Sequence, residues 1–206
     1  MKYLLGLITL LILSCKPTTT PDEKGIIQAT TSVEEPAQLV GKPISSTKSR
    51  TRTIDNAPSP DFPFNVMLKD TKGNLNNSNE IFQENGKPTV LLFWLTTCAP
   101  CKMKMRAIHP LYSEWTEESD FNLYAISGDW SKNFEKFVSY TEQQNWLWPT
   151  YNDVNRGFRE ILPGGLNGYP QSFIFDKEGK LVYQDKRFKF GDEKRLYDQI
   201  KKVCQS

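Results

Sequence analysis

The sequence predicts an α/β domain: a central mixed sheet flanked by helices, with a β-hairpin ahead of it. Three observations carry this. Thr89 to Trp94 is a continuous apolar strand, of the kind buried on both faces of a sheet. Strand, helix, strand, helix then follow in order, ending with the helix that starts at about Ser131, which implies a right-handed parallel crossover. Near the end, Gln171 to Phe175 and Leu181 to Gln184 flank Asp176-Lys177-Glu178-Gly179, an antiparallel hairpin with glycine at the left-handed position.

In chain order, Phe62 to Leu68 alternates weakly, Asp70 to Gly73 forms a turn, and a short helix follows near Ser78 to Gln83, so an edge hairpin precedes the core. After the first core strand, Ile108, Leu111, Tyr112 and Trp115 repeat at i, i+3, i+4 and i+7. Pro110 lies inside that pattern and predicts a kink or break near His109. Phe121 to Ile126 is the next strand. A helix from about Ser131 carries Phe134, Phe137, Val138 and Thr141 on one face. Leu147 to Tyr151 reads as a short strand, Val154 to Leu162 as a short helix, and residues 163–168 as a loop ending at Tyr169-Pro170. A last helix from about Asp192 aligns Leu196, Ile200 and Val203.

The chain has 206 residues, 38% apolar and 12% aromatic, enough for one sizeable core, and its net charge of +2 does not suggest a nucleic-acid partner. Met1-Lys2 and the apolar stretch Tyr3 to Leu13 read as a signal peptide, too short to span a bilayer. Ile12-Leu13-Ser14-Cys15 resembles a bacterial lipobox and predicts cleavage after residue 14 and acylation of Cys15, with an ordinary cleaved signal or an uncleaved anchor as alternatives. Residues 15–55 have linker composition, and about 40 such residues span on the order of 35 Å as a flexible coil. The folded domain is expected over 56–206.

Chemistry concentrates at Cys98-Ala99-Pro100-Cys101, predicted to open a helix. Unpaired N–H groups and the helix dipole favour a thiolate there. Two thiols so spaced can perform thiol–disulfide exchange, with Cys98 attacking and Cys101, one turn inside, resolving. Pro100 removes a backbone donor and stiffens the turn. Less reactive readings are a closed structural disulfide or half a zinc site. Zinc needs two more ligands, and His109 and Cys204 are not at ligand spacing. Cys204 reads as a packed small side chain, His109 as a helix-surface residue, Trp94 as packing beneath the motif, and Trp146 and Trp148 as core or loop packing. No metal or cofactor is expected.

The strand ending Phe93-Trp94, the Cys98-Ala99-Pro100-Cys101 motif, the later Tyr169-Pro170 and the hairpin after it resemble the thioredoxin superfamily. The Ala57-Pro58 start, the early hairpin, the longer helix insertion and Phe173-Ile174-Phe175-Asp176-Lys177-Glu178-Gly179-Lys180 are similar to its membrane-tethered TlpA/ResA-like branch. The resemblance implies a cis Pro170 facing the cysteines, with Tyr169 presenting its backbone to a substrate strand and Thr97, Ala99 and Trp94 supporting the site. It also implies a lipid-anchored, periplasm-facing reductant of exported proteins, apocytochrome c among them, supplied by an electron-donor protein. The alternative is a redox-inert binding module on the same fold.

The chain departs from the family pattern at four positions. Thr97 stands where Trp is common, Arg106 where proline is usual, Leu92 where thioredoxin carries a buried acid, and Lys104 where some tethered relatives carry Glu. The proton acceptor for Cys101 is therefore unassigned. Asp129 is a candidate, read first as a helix cap.

Overall fold

The computed structural model describes residues 62–82 and 85–206. The expected signal peptide, Cys15, the expected linker, Ala57-Pro58 and the last residue of the helix expected to Gln83 lie outside the described residues.

The early hairpin is β1 (Met67–Lys69) and β2 (Leu75–Asn77), closed at Asp70–Gly73. Asp70 accepts from the Lys72 and Asn74 amides there. The strand is shorter than the alternation from Phe62 predicts, because Phe64 takes a left-handed backbone and turns inward. Helix α1 (Ser78–Ile81) starts on a capping box between Asn77 and Glu80.

Strand β3 (Thr89–Trp94) has the predicted bounds, and all six residues are buried. Helix α2 (Ala99–Ile108) follows. A 3-10 turn at His109–Leu111 breaks it before α3 (Tyr112–Glu118), where Pro110 supplies no N–H for a continuous helix. Strand β4 (Asn122–Ser127) runs parallel to β3 in unbroken register, Thr89 opposite Asn122 and Trp94 opposite Ser127. Helix α4 (Phe134–Gln144) is entered through a 3-10 turn at Ser131–Asn133 and ends at Asn145 in the left-handed region.

Two expected elements are displaced. Strand β5 is Thr150–Asp153, not Leu147 to Tyr151, and α5 is Phe158–Ile161, not Val154 to Leu162. Asn152 and Asp153, which look like turn residues, are drawn into the sheet because Asn152 donates to the Ser127 and Asp129 carbonyls. Arg156 at φ +57° then delays the helix. The closing hairpin is β6 (Gln171–Phe175) and β7 (Leu181–Lys186), with Gly179 at φ +76°. Helix α6 (Asp192–Cys204) has acidic residues in its first turn and lysines in its last, which suits the helix dipole.

Among the described residues the strands form one mixed sheet in the order β2-β1-β5-β4-β3-β6-β7. Its faces differ. Val90, Leu92 and Trp94 point into a cluster with Cys101, Met105, Ile108, Trp115, Phe137, Leu196 and Ile200 from α2, α3, α4 and α6. The alternate residues Leu91 and Phe93 join Phe64, Phe82, Phe158, Phe173 and Phe175 in an aromatic cluster. Among the described residues no helix is long and apolar enough to cross a membrane.

Candidate active site

Register brings three loops to one end of the sheet. β3 ends at Trp94 beside Ser127, where β4 ends, and β6 begins at Gln171 opposite Phe93. The loop carrying Cys98, the Gly128-Asp129 turn and the Tyr169-Pro170 turn therefore meet at the carboxyl ends of the parallel strands.

Cys98 is the N-cap of α2, and its Sγ accepts from the Cys101 amide at 3.2 Å. An amide aimed at this sulfur and the start of a helix dipole both favour a thiolate over a thiol at this position. Pro100 sits in the first turn, where no intrahelical N–H is needed. A disulfide joins Cys98 to Cys101. Cys98 is half-buried, Thr97, Ala99 and Pro100 are exposed, and Cys101 is 0% exposed. An outer cysteine partly exposed and an inner one closed off is the asymmetry that attack followed by resolution requires.

The motif is held from below by Asp129. This side chain, 3% exposed, accepts from the Thr96 amide at 2.8 Å, the Thr96 hydroxyl at 3.1 Å and the Ser127 hydroxyl at 2.7 Å. The reading of Asp129 as a helix cap is corrected: its carboxylate fixes the strand end before the cysteines instead. The capping acid at this end is Asp153, which accepts from the Gly157 and Phe158 amides at the start of α5. Burial pushes the Asp153 carboxyl up despite those bonds.

The Tyr169–Pro170 bond is cis, and Pro170 is buried. The Tyr169 ring lies so close to Gly128 that a Cβ there would stand 2.1 Å from its hydroxyl oxygen, which makes glycine a packing requirement. Burial raises the Tyr169 hydroxyl, with Arg156 pulling the other way. Arg156 also donates to the Gly128 carbonyl at 3.0 Å and lies over the exposed Trp130 ring.

Trp94 is 1% exposed and packs on Phe137 and Tyr140, beneath the motif. Trp146 and Trp148 stack on each other, and His109 packs against both edge-on, half-buried and not on the helix surface as read from sequence. Cys204 packs at the edge of the helix-side core and donates to the Asp120 carbonyl, and burial raises its thiol. Arg106 is exposed and donates to Gln144.

Sequence reasoning missed one pair. Lys104 is buried, with Nζ 2.8 Å from Asp185 Oδ1, and it also donates to Ser172. The signal was present: Cys101, Lys104, Met105 and Ile108 stand at i, i+3, i+4 and i+7, so the lysine lies in the middle of an apolar face.

The arrangement has known relatives. The ResA thiol-disulfide oxidoreductase of Bacillus anthracis is 28% identical over 120 residues, 58% of this chain, which spans 65% of that relative's length. A thioredoxin-like protein of Porphyromonas gingivalis, known in solution, is 27% identical and covers 69% of this chain and 91% of its own, at a TM-score of 0.59. A thioredoxin-family thiol:disulfide interchange protein of Chlorobium tepidum shares the fold at 19% identity and a TM-score of 0.54, over 73% of this chain and 99% of its own. Residues 56–184, more than half of the chain, match the AhpC/TSA family, and with the thioredoxin-like fold around its cysteine pair this chain belongs to that family.

Proposed function

We propose that this protein is a thiol–disulfide oxidoreductase in which Cys98 is the attacking and Cys101 the resolving cysteine. One observation carries the reading. A half-buried cysteine caps a helix while its disulfide partner is fully enclosed, at the sheet end that also holds the cis Tyr169–Pro170 bond. In the reducing direction the Cys98 thiolate attacks a substrate disulfide and releases one substrate thiol. Cys101 then attacks Cys98, closing the internal disulfide and releasing the second thiol. Two electrons pass to the substrate, and a dithiol donor protein restores the pair.

The finer reading is a lipid-anchored reductant at the outer side of a cell membrane. It rests on the lipobox-like Ile12-Leu13-Ser14-Cys15, on the linker composition of residues 15–55, and on the resemblance to tethered oxidoreductases, which also suggests exported proteins such as apocytochrome c as substrates. The test is a Cys101→Ala trap in the full chain in its native envelope. Stable mixed disulfides through Cys98 are expected and identify the substrates, whereas their complete absence overturns the exchange reading. A midpoint potential near about −120 mV, the strongly oxidising end, overturns the reductant direction.

A further inference from the structure

The inward face of α2 has one residue that packing does not explain. Cys101, Met105 and Ile108 are apolar and at most 1% exposed, and Lys104, among them, is only 2% exposed. Its Nζ reaches Asp185, whose side chain is 8% exposed, and donates to Ser172. Ser172 is in register with Leu92 on one side and Asp185 on the other, so Leu92, Ser172 and Asp185 form one row across β3, β6 and β7. Leu92 and Cys101 belong to the same core cluster.

A buried ion pair is poorly justified by stability alone, since apolar residues of similar volume hold a core as well or better. It does root a cation one helical turn from Cys101, in the same closed core. Helix residues three apart have Cβ atoms about 5–6 Å from each other, and a dry interior screens charge far less than water does.

We infer that Lys104 and Asp185 are a positioning pair for Cys101, the ammonium favouring its thiolate and the carboxylate taking up its proton when the mixed disulfide is resolved. This rests on the exchange reading above. In the step, the proton leaves Cys101 Sγ and ends on Asp185, and Lys104 stays charged and turns from carboxylate to thiolate, so the core keeps its net charge. The thiolate attacks Cys98 Sγ, the Cys98–Cys101 bond forms and the bond from Cys98 to the substrate sulfur breaks. That sulfur leaves as a thiolate and takes up a proton from solvent, and Asp185 releases to solvent the proton it accepted, so the pair is ionised again when the disulfide has closed. The other ionisable groups near the pair are Tyr183 on β7 and Arg195 and Asp192 on α6. Burial and Asp185 both raise the Tyr183 hydroxyl, which hydrogen-bonds Arg195. On α2 itself Lys102 lies over the Tyr140 ring and Arg106 is exposed, while Asp129 is occupied by Thr96 and Ser127.

The test is the pH profile of the resolving step and of thiolate absorbance in full-length Lys104→Met and Asp185→Asn. The Cys101 titration is expected to move in opposite directions, up by about one pH unit without the cation and down by about one without the carboxylate, each a tenfold change in thiolate fraction at fixed pH. Lys104→Arg and Asp185→Glu are expected to return the profile toward wild type. Unmoved profiles, or shifts of one sign in both variants, overturn the inference. Should the variants not fold, the wild type decides: carboxyl carbon shifts of Asp185 titrate together with Cys101 in the dithiol form and differently in the disulfide form. An Asp185 titration identical in the two forms overturns it. If the wild type exchanges no disulfide at all, the exchange reading itself has failed, which this profile separates from failure of the pair.

Discussion

Two buried carboxylates flank the cysteine motif and are held in opposite ways. Asp129, on the strand side, is surrounded by oriented neutral donors: one amide and two hydroxyls. Asp185, on β7, faces the ammonium of Lys104 from α2. Oriented donors fix direction, so Asp129 sets where the backbone of Thr96 points and hence where Cys98 begins. An ammonium is a compact point charge on a flexible stem and fixes charge more than direction. The contrast separates the geometry of the outer sulfur from the electrostatics of the inner one.

The comparison breaks most visibly in stability. Lys104→Met leaves a buried carboxylate without its cation and is expected to cost about 3–5 kcal/mol in denaturant unfolding, whereas Lys104→Met with Asp185→Leu is expected to return to wild-type stability or above it. Equal losses in the single and double variants would mean that the side chains matter here for shape and not for charge.

The Asp129 side admits no such rescue, because one of its donors is backbone. Asp129→Ala strands the Thr96 amide and leaves two hydroxyls to find other acceptors, an expected loss of about 2–3 kcal/mol. Asp129→Asn keeps one accepting oxygen and is expected to lose less. Both are also expected to slow attack by Cys98 while leaving the titration of Cys101 in place, measured by alkylation of the reduced pair against pH. A shift in Cys101 equal to that of the Lys104 variants would erase the distinction between the two carboxylates.

How far the sequence shows this site follows from how local each feature is. The bounds of β3 and the break at Pro110 are legible, since one is a continuous apolar run and the other a missing N–H. Likewise Gly179 marks its own turn. Asp129 and Asp185 are not legible, because their roles depend on partners 33 and 81 residues away. The β5 strand is hidden for a related reason: Asn152 and Asp153 have turn-like side chains, and they join the sheet by pairing with distant residues of β1 and β4 and through the Asn152 bonds to the Ser127 and Asp129 carbonyls. Lys104 alone announced itself, as a charge on an apolar helical face, without revealing what it faced.

A third carboxylate tests whether oriented amide donors are enough to keep a buried acid ionised as easily as in water. Asp153 resembles Asp129 in accepting from backbone, at 2.9 Å from Gly157 and 3.1 Å from Phe158. Yet burial outweighs those bonds and raises its carboxyl above the ordinary value of 3.8. The folded state therefore holds this proton more tightly than the unfolded chain, which binds fewer protons in the window just above that value. Its contribution to stability is then present at lower pH and is lost as pH rises through the folded-state titration. Asp153→Asn, which keeps one accepting oxygen and cannot ionise, is expected to remove that slope from a plot of unfolding free energy against pH, the smallest of these effects. An unchanged slope in the variant would show that the two amides offset burial fully.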